Sequence, residues 1–122
     1  MSISNYAELK LLDHVTGRAA FTIPSAVYLK LHTGDPGEAA TSNAATEATR
    51  KVVTWAAAAS GSIATDAIAE WTNVSTTETY SHWSMWDAST AGNALWTGAL
   101  STSAAVTAGD TFQITSLTLT LD

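Results

Sequence analysis

Three histidines, eleven acids and a scatter of Ser and Thr are the side chains here that could do chemistry. An acyl-transfer site needs a nucleophile beside a base, and a third group to orient that base. The chain has no cysteine, which excludes thiol catalysis, zinc–thiolate sites and disulfide scaffolds. His14 falls in a helical stretch with no positioned partner and reads as a solvated or interface residue. His32 closes a strand beside Thr33 and Asp35. A His-x-x-Asp spacing could make a ligand pair, but a polar turn satisfying its own backbone is the simpler reading. His82 has the strand parity of Tyr80 and Trp86, which favours aromatic packing over general-base work.

The acids are spread thinly, and Asp35, Asp87 and Asp110 sit beside the Gly, Pro, Ser or Thr of turns. A carboxylate pair for glycoside hydrolysis could arise only in space, not from this spacing. No HExxH or EF-hand spacing occurs, and neither LHTGDPG nor TAGN carries the GK[ST] of a phosphate loop. The residues predict no catalytic site, no cofactor and no metal, and hence no enzyme. Asn73-Val74-Ser75 matches a glycosylation sequon, which matters only behind a secretory signal. MSISNYAELKLLDHV has neither a basic start nor a small-residue cleavage site after an apolar core.

The unusual feature is five tryptophans: Trp55, Trp71, Trp83, Trp86 and Trp96. All fall in expected strands. Core filling is their ordinary use, an interface anchor the rival one, and a stacking platform for a sugar ring the third. Trp83 and Trp86 have opposite parity, so one faces the core and the other faces out or towards a neighbour. Trp86 is the candidate for the outward contact.

These side chains need elements to hold them. Residues 5–16 are the helix candidate. Asn5 can cap it with Glu8 three residues on, Tyr6, Leu9, Leu12 and Val15 keep a helical spacing, and Gly17 is a natural stop. This stripe, with Leu9 and Leu12 at its centre, must pack on the chain's own sheet or on a neighbouring subunit, because a helix this short is marginal alone. From Ser25 the period changes to two. Val27, Leu29 and Leu31 share one face of a strand, and Tyr28, Lys30 and His32 share the other. Gly34, Asp35, Pro36 and Gly37 then make a turn, and residues 37–49 read as a long exposed loop. Strands follow at RKVVTWAA, SIATD, AIAEWTNV, TYSHWSMWD, NALWTGAL, TFQIT and SLTLTLD. Phe112 and Ile114 are out of phase with Leu117, which predicts a bulge or break near Thr115–Ser116. The expected fold is all-β, a β-sandwich or jelly-roll-like barrel with one short N-terminal helix. The 122 residues fit one domain, with 1–24 the helix and lead-in and 25–122 the sandwich.

Five basic against eleven acidic residues give a formal charge of −6. Such a surface repels phosphate and anionic lipid, so neither nucleic acid nor a membrane surface is an expected partner. No stretch approaches the ~20 apolar residues of a membrane helix. Only 13% of residues are charged, and Ala, Ser and Thr replace them. A neutral surface of this kind suits subunit contacts.

Three segments, VYLKLHTGDPG at 27–37, SHWSMWDASTAGNALWTGAL at 81–100 and VTAGDTFQITSLTLTLD at 106–122, resemble in order and spacing a family of small bacteriophage virion proteins of tail-fibre-like, minor tail or decoration type. The resemblance covers about residue 26 to the C-terminus. The stretch TSNAATEATR departs from it by lacking glycine before Arg50. The resemblance implies a structural virion protein made in the host cytoplasm, with capsid or tail subunits as partners and no catalytic residues. It leaves two roles open: an accessory subunit in repeated copies, or a receptor- or glycan-binding module at a tail tip. A homo-oligomer, such as a trimer, is expected because closed assembly hides sheet edges.

Overall fold

The computed structural model describes residues 1–121. In chain order it holds β1 (Ser2–Ile3), α1 (Asn5–Val15), β2 (Val27–His32), β3 (Lys51–Val53), β4 (Ser62–Ala64), β5 (Ala69–Trp71), β6 (Glu78–Trp86), β7 (Ala94–Val106), β8 (Phe112–Ile114) and β9 (Thr118–Thr120). The fold is therefore all-β with one short N-terminal helix. Five strands form one antiparallel sheet in the order β1-β7-β6-β2-β3, while β4 pairs with β9 and β5 with β8. The alternation in β2 sends Leu29 and Leu31 inward, where they meet Trp83 and Met85 of β6 and Leu95 and Val106 of β7. Trp71, Ile114 and Leu119 from the two smaller ladders complete this core.

Break and bulge both appear. The out-of-phase segments at Thr115–Ser116 end in different ladders, since β8 joins β5 and β9 joins β4. Asp122, the last residue of the predicted SLTLTLD strand, lies outside the described residues. A second irregularity falls where the sequence shows none. Tyr80 faces Ala104 and His82 faces Ala99, so Ser81 alone stands opposite Leu100–Ser103. This bulge switches the parity of β6. Tyr80 points into the main core with Trp83 and Met85, whereas His82, Ser84 and Trp86 take the opposite face. The shared face expected for Tyr80 and His82 does not form, because a bulge flips every side chain beyond it.

The helix is capped by Ser4, not Asn5: the Ser4 hydroxyl accepts from the Ala7 N–H at 3.1 Å. Its C-terminus closes in a Schellman motif, with Gly17 N–H on His14 O and Arg18 N–H on Asp13 O. Most of residues 37–49 are exposed, as expected of a loop, but the stretch 33–45 is pinned back on β2. Thr33 N–H reaches Asn43 O, Ala45 N–H reaches Leu31 O, and Pro36, Ala40 and Ala45 are buried. Glu47 and Glu78 anchor the chain just beyond this loop, their carboxylates accepting from the Ser75, Thr46 and Glu47 N–H groups.

Candidate functional site

The outer face of β2 and β6 collects the segments that stand out in the sequence. On β2 it carries Lys30 and His32, and on β6 Ser84 and Trp86, with Leu31 opposite Trp83 and Lys30 opposite Ser84 setting the register. The 33–45 loop folds over this face. His32 is fully buried there. Its Nδ1 lies 2.9 Å from the Ser42 carbonyl and its Nε2 lies 2.7 Å from Ser84 Oγ. A carbonyl can only accept, so Nδ1 carries the proton and Nε2 accepts from the Ser84 hydroxyl. Ser84 Oγ in turn accepts the Trp86 Nε1–H at 2.7 Å. Burial holds the imidazole below its ordinary pKa, and the charges of Lys30 and His82 push the same way against the hydrogen bond to Ser42.

Trp86 is clamped on this side of the sheet. The Arg50 guanidinium lies 4.0 Å from its ring centroid and Lys30 Nζ 5.8 Å. Arg50 Nη1 also donates to Ala88 O and Ala91 O at 2.8 and 2.7 Å. Asp87 holds the same turn from the other end, accepting from the Asn93 N–H and side-chain amide. The LHTGDPG turn is built similarly. Asp35 Oδ1 accepts the Gly37 N–H at 2.9 Å, the Asn43 amide donates to Asp35 O, and Gly37 has φ +68°. Gly34 is not left-handed; a Cβ there would meet Asn43 at 3.1 Å. Ala40 of the same loop, Arg50 and the 87–93 turn thus converge on Trp86, which is 9% exposed. Both Trp83 and Trp86 are buried, on opposite faces.

Spacing alone hid the His32–Ser84 pair, because the two residues are 52 positions apart. Only the β2–β6 register joins them. The pair has the form of a base and a nucleophile, but both residues are fully buried and the group on Nδ1 is a backbone carbonyl. The hydroxyl is closed off from solvent. His14 accepts the Phe21 N–H, and His82 contacts Ser81 Oγ. Among the described residues no three of His, Asp and Glu come together to hold a metal.

Beside this face the N-terminus of α1 and the 38–41 and 92–94 turns enclose a hollow of about 390 Å³. Trp86 and Tyr6 line it, with Asn5, Glu38, Thr41 and Asn93. On the helix itself, Ala7 is buried and Leu11 turns inward beside Met85, Leu95 and Trp96. Leu9, Leu12 and Val15 point away from the fold and are 67%, 59% and 72% exposed.

A family model described as Podophage GP4 fiber I protein gp80 matches residues 2–122. The chain belongs to this family. Among curated proteins none matches it. The gp80 fiber match takes in the N-terminal helix, which the three sequence segments leave out. It makes the chain a phage structural protein of tail-fibre-like type and a component of the virion.

Proposed function

We propose that this gp80-family chain is a non-enzymatic accessory subunit that decorates the capsid or tail surface in repeated copies and associates with itself and with other virion proteins. The observation that carries the reading is the outward stripe of Leu9, Leu12 and Val15 on a helix already seated by its opposite side. Such a stripe belongs against a neighbour, since helix stability comes from burying apolar surface. The fully buried Ser84–His32 pair supports a role without catalysis.

The test is the double variant Leu9→Ser/Leu12→Ser. Each fully buried Leu would contribute roughly 1.5–3 kcal/mol, so loss of an internal contact would lower the melting temperature sharply. The expected result is an almost unchanged melting temperature in the isolated protein, with incorporation into particles lost. A variant that melts normally and still joins the particle refutes the assignment.

One observation favours a second reading, a tail-tip receptor- or glycan-binding module. The hollow beside Trp86 and Tyr6 offers aromatic rings ringed by Asn5, Glu38, Thr41 and Asn93. Copy number separates the two roles. Copies on the order of hundreds fit a repeating lattice of subunits, and a handful fit a tail tip.

A further inference from the structure

Strands β7 and β8 are consecutive and joined by a short turn, in which Asp110 N–H bonds to Thr107 O. Strands joined in this way ordinarily pair. Here they do not: β7 pairs with β6 and β1, and β8 pairs only with β5. On the far side β5 lies beside β3, and Trp71 Nε1 donates to the O of Thr49, just before β3, at 2.7 Å. The order β8-β5, β3-β2-β6-β7 is thus a curved wall without a ladder at two places: between β5 and β3, which lie close together, and between β7 and β8, which leave a gap.

That gap between β7 and β8 is a slot of about 350 Å³ lined by Ala99, Leu100, Phe112, Ile114 and Leu117, with Trp83 in its wall. The bulge leaves Leu100–Ser103 without partner residues on β6, and no other strand pairs with them. The Trp83 indole N–H is buried without an acceptor, which is uncommon and calls for a cause. Among the described residues no charged side chain lines the slot, and the Met1 amino group lies at its end; its polar groups include Ser101, Thr102, Gln113 and Thr115. Met1 lies at one end, where β1 already pairs with the same edge of β7 through Ser2↔Thr97 and Ile3↔Trp96.

We propose that this slot receives an extended, uncharged segment of a neighbouring virion protein, which adds a strand between β7 and β8 in line with β1. Strand addition of this kind takes its affinity from main-chain hydrogen bonds and its selectivity from side-chain pockets. At a rise of about 3.3 Å, a strand spacing of about 4.8 Å and a layer spacing of about 10 Å, the cavity holds about two residues, the length of β1. A lining whose described side chains carry no charge favours an uncharged segment, because a charged one would lose its hydration without a side-chain partner. A backbone carbonyl of the segment is the acceptor that Trp83 lacks.

The proposal rests on the chain being a particle subunit. Amide hydrogen exchange of the wild-type protein, free and in purified particles, tests it. The expected result is at least tenfold slower exchange at one or more amides within each of the stretches 100–103 and 112–116 in the particle. Thr102→Pro, at an exposed residue without a strand partner, should leave the isolated melting temperature unchanged and cut the copies per particle at least tenfold. If that variant fails to fold, the wild-type exchange decides alone. Equal exchange rates free and in the particle overturn the inference while leaving the particle role intact. Absence of the protein from particles overturns the particle role and this inference with it. Slowing in the concentrated isolated protein would assign the strand to a second copy of this chain and overturn the present assignment.

Discussion

The guanidinium of Arg50 lies over the indole of Trp86, 4.0 Å from its centroid, while Nη1 of the same group holds two carbonyls of the 87–93 turn. One cation therefore fixes both an aromatic ring and a loop. Arg50→Ala should destabilise by about 1–3 kcal/mol, from the lost stacking and charged hydrogen bonds. Arg50→Lys should recover less than half of that, since an ammonium keeps the charge but not the planar fork. Urea unfolding of the three proteins checks this, and a fully rescued lysine variant would contradict it.

The buried imidazole of His32 gives a pH dependence with a definite sign. In the unfolded chain a histidine protonates as pH falls through about 6.5. In the folded chain burial keeps His32 neutral below that value, so the unfolded state binds the extra proton. Stability from this group is complete above about pH 6.5 and falls on acidification, by at most about 1.4 kcal/mol per pH unit, until the folded group also protonates. The geometry agrees, because a proton on Nε2 would remove the acceptor to which the buried Ser84 hydroxyl donates. His32→Asn should be less stable at neutral pH but flatter between pH 6.5 and 5. Parallel curves for the two proteins would remove His32 as the cause.

Two glycines should respond to alanine for different reasons. Gly37 is left-handed, and nothing stands within 4 Å of where a Cβ would go. Gly37→Ala should cost about 1–2 kcal/mol from backbone strain, and Gly37→Asn distinctly less, because asparagine tolerates this conformation. Gly98 lies under the Trp83 indole, where an added Cβ would come within 2.6 Å of the ring. Gly98→Ala should cost about 1–3 kcal/mol by overpacking, and Gly98→Asn more still. Thermal melts that rank Asn above Ala at both positions would show that the two sites share one mechanism.

The Tyr80 hydroxyl is buried without a hydrogen-bond partner, and its pKa is pushed up to about 12 by burial, with Glu78 and Glu47 adding to it. Its ring packs edge-on against Phe112, at 5.1 Å between centroids. Tyr80→Phe keeps the ring and removes the orphaned group. It should melt at or above the wild-type temperature, by up to about 1–3 kcal/mol. A loss of stability would mean that the hydroxyl has a partner in solution.

Local patterning made the helix, the Asp35–Gly37 turn and most strands readable, but not β1 at Ser2–Ile3 or the extension of β7 from Ser101 to Val106. Period, turn residues and the stop at Gly17 are all properties of neighbours in sequence. Three further matters were not readable, for one physical reason. The helix fits two apolar stripes, Ala7–Leu11 and Leu9–Leu12–Val15, and only the approach of β7 to the small Ala7 selects the first as the inner one. Ser4 displaces Asn5 as the cap because its backbone N–H is fixed to Leu95 O, a contact 91 positions away. The parity change after Tyr80 comes from a bulge opposite Leu100–Ser103, which no residue of β6 announces. Each depends on a partner distant in sequence, as does the pairing of His32 with Ser84.

Ser4 carries a mechanical consequence. Its N–H and hydroxyl bond to Leu95 O and Ala94 O at 3.0 and 2.5 Å, while its hydroxyl and carbonyl accept from Ala7 and Glu8 at the head of α1. The helix is therefore not a loose tether. A pull on its outward leucines passes within one residue into β7, whose ladder with β6 is the longest in the fold. Load directed along β7 acts in shear across many hydrogen bonds at once instead of peeling them singly.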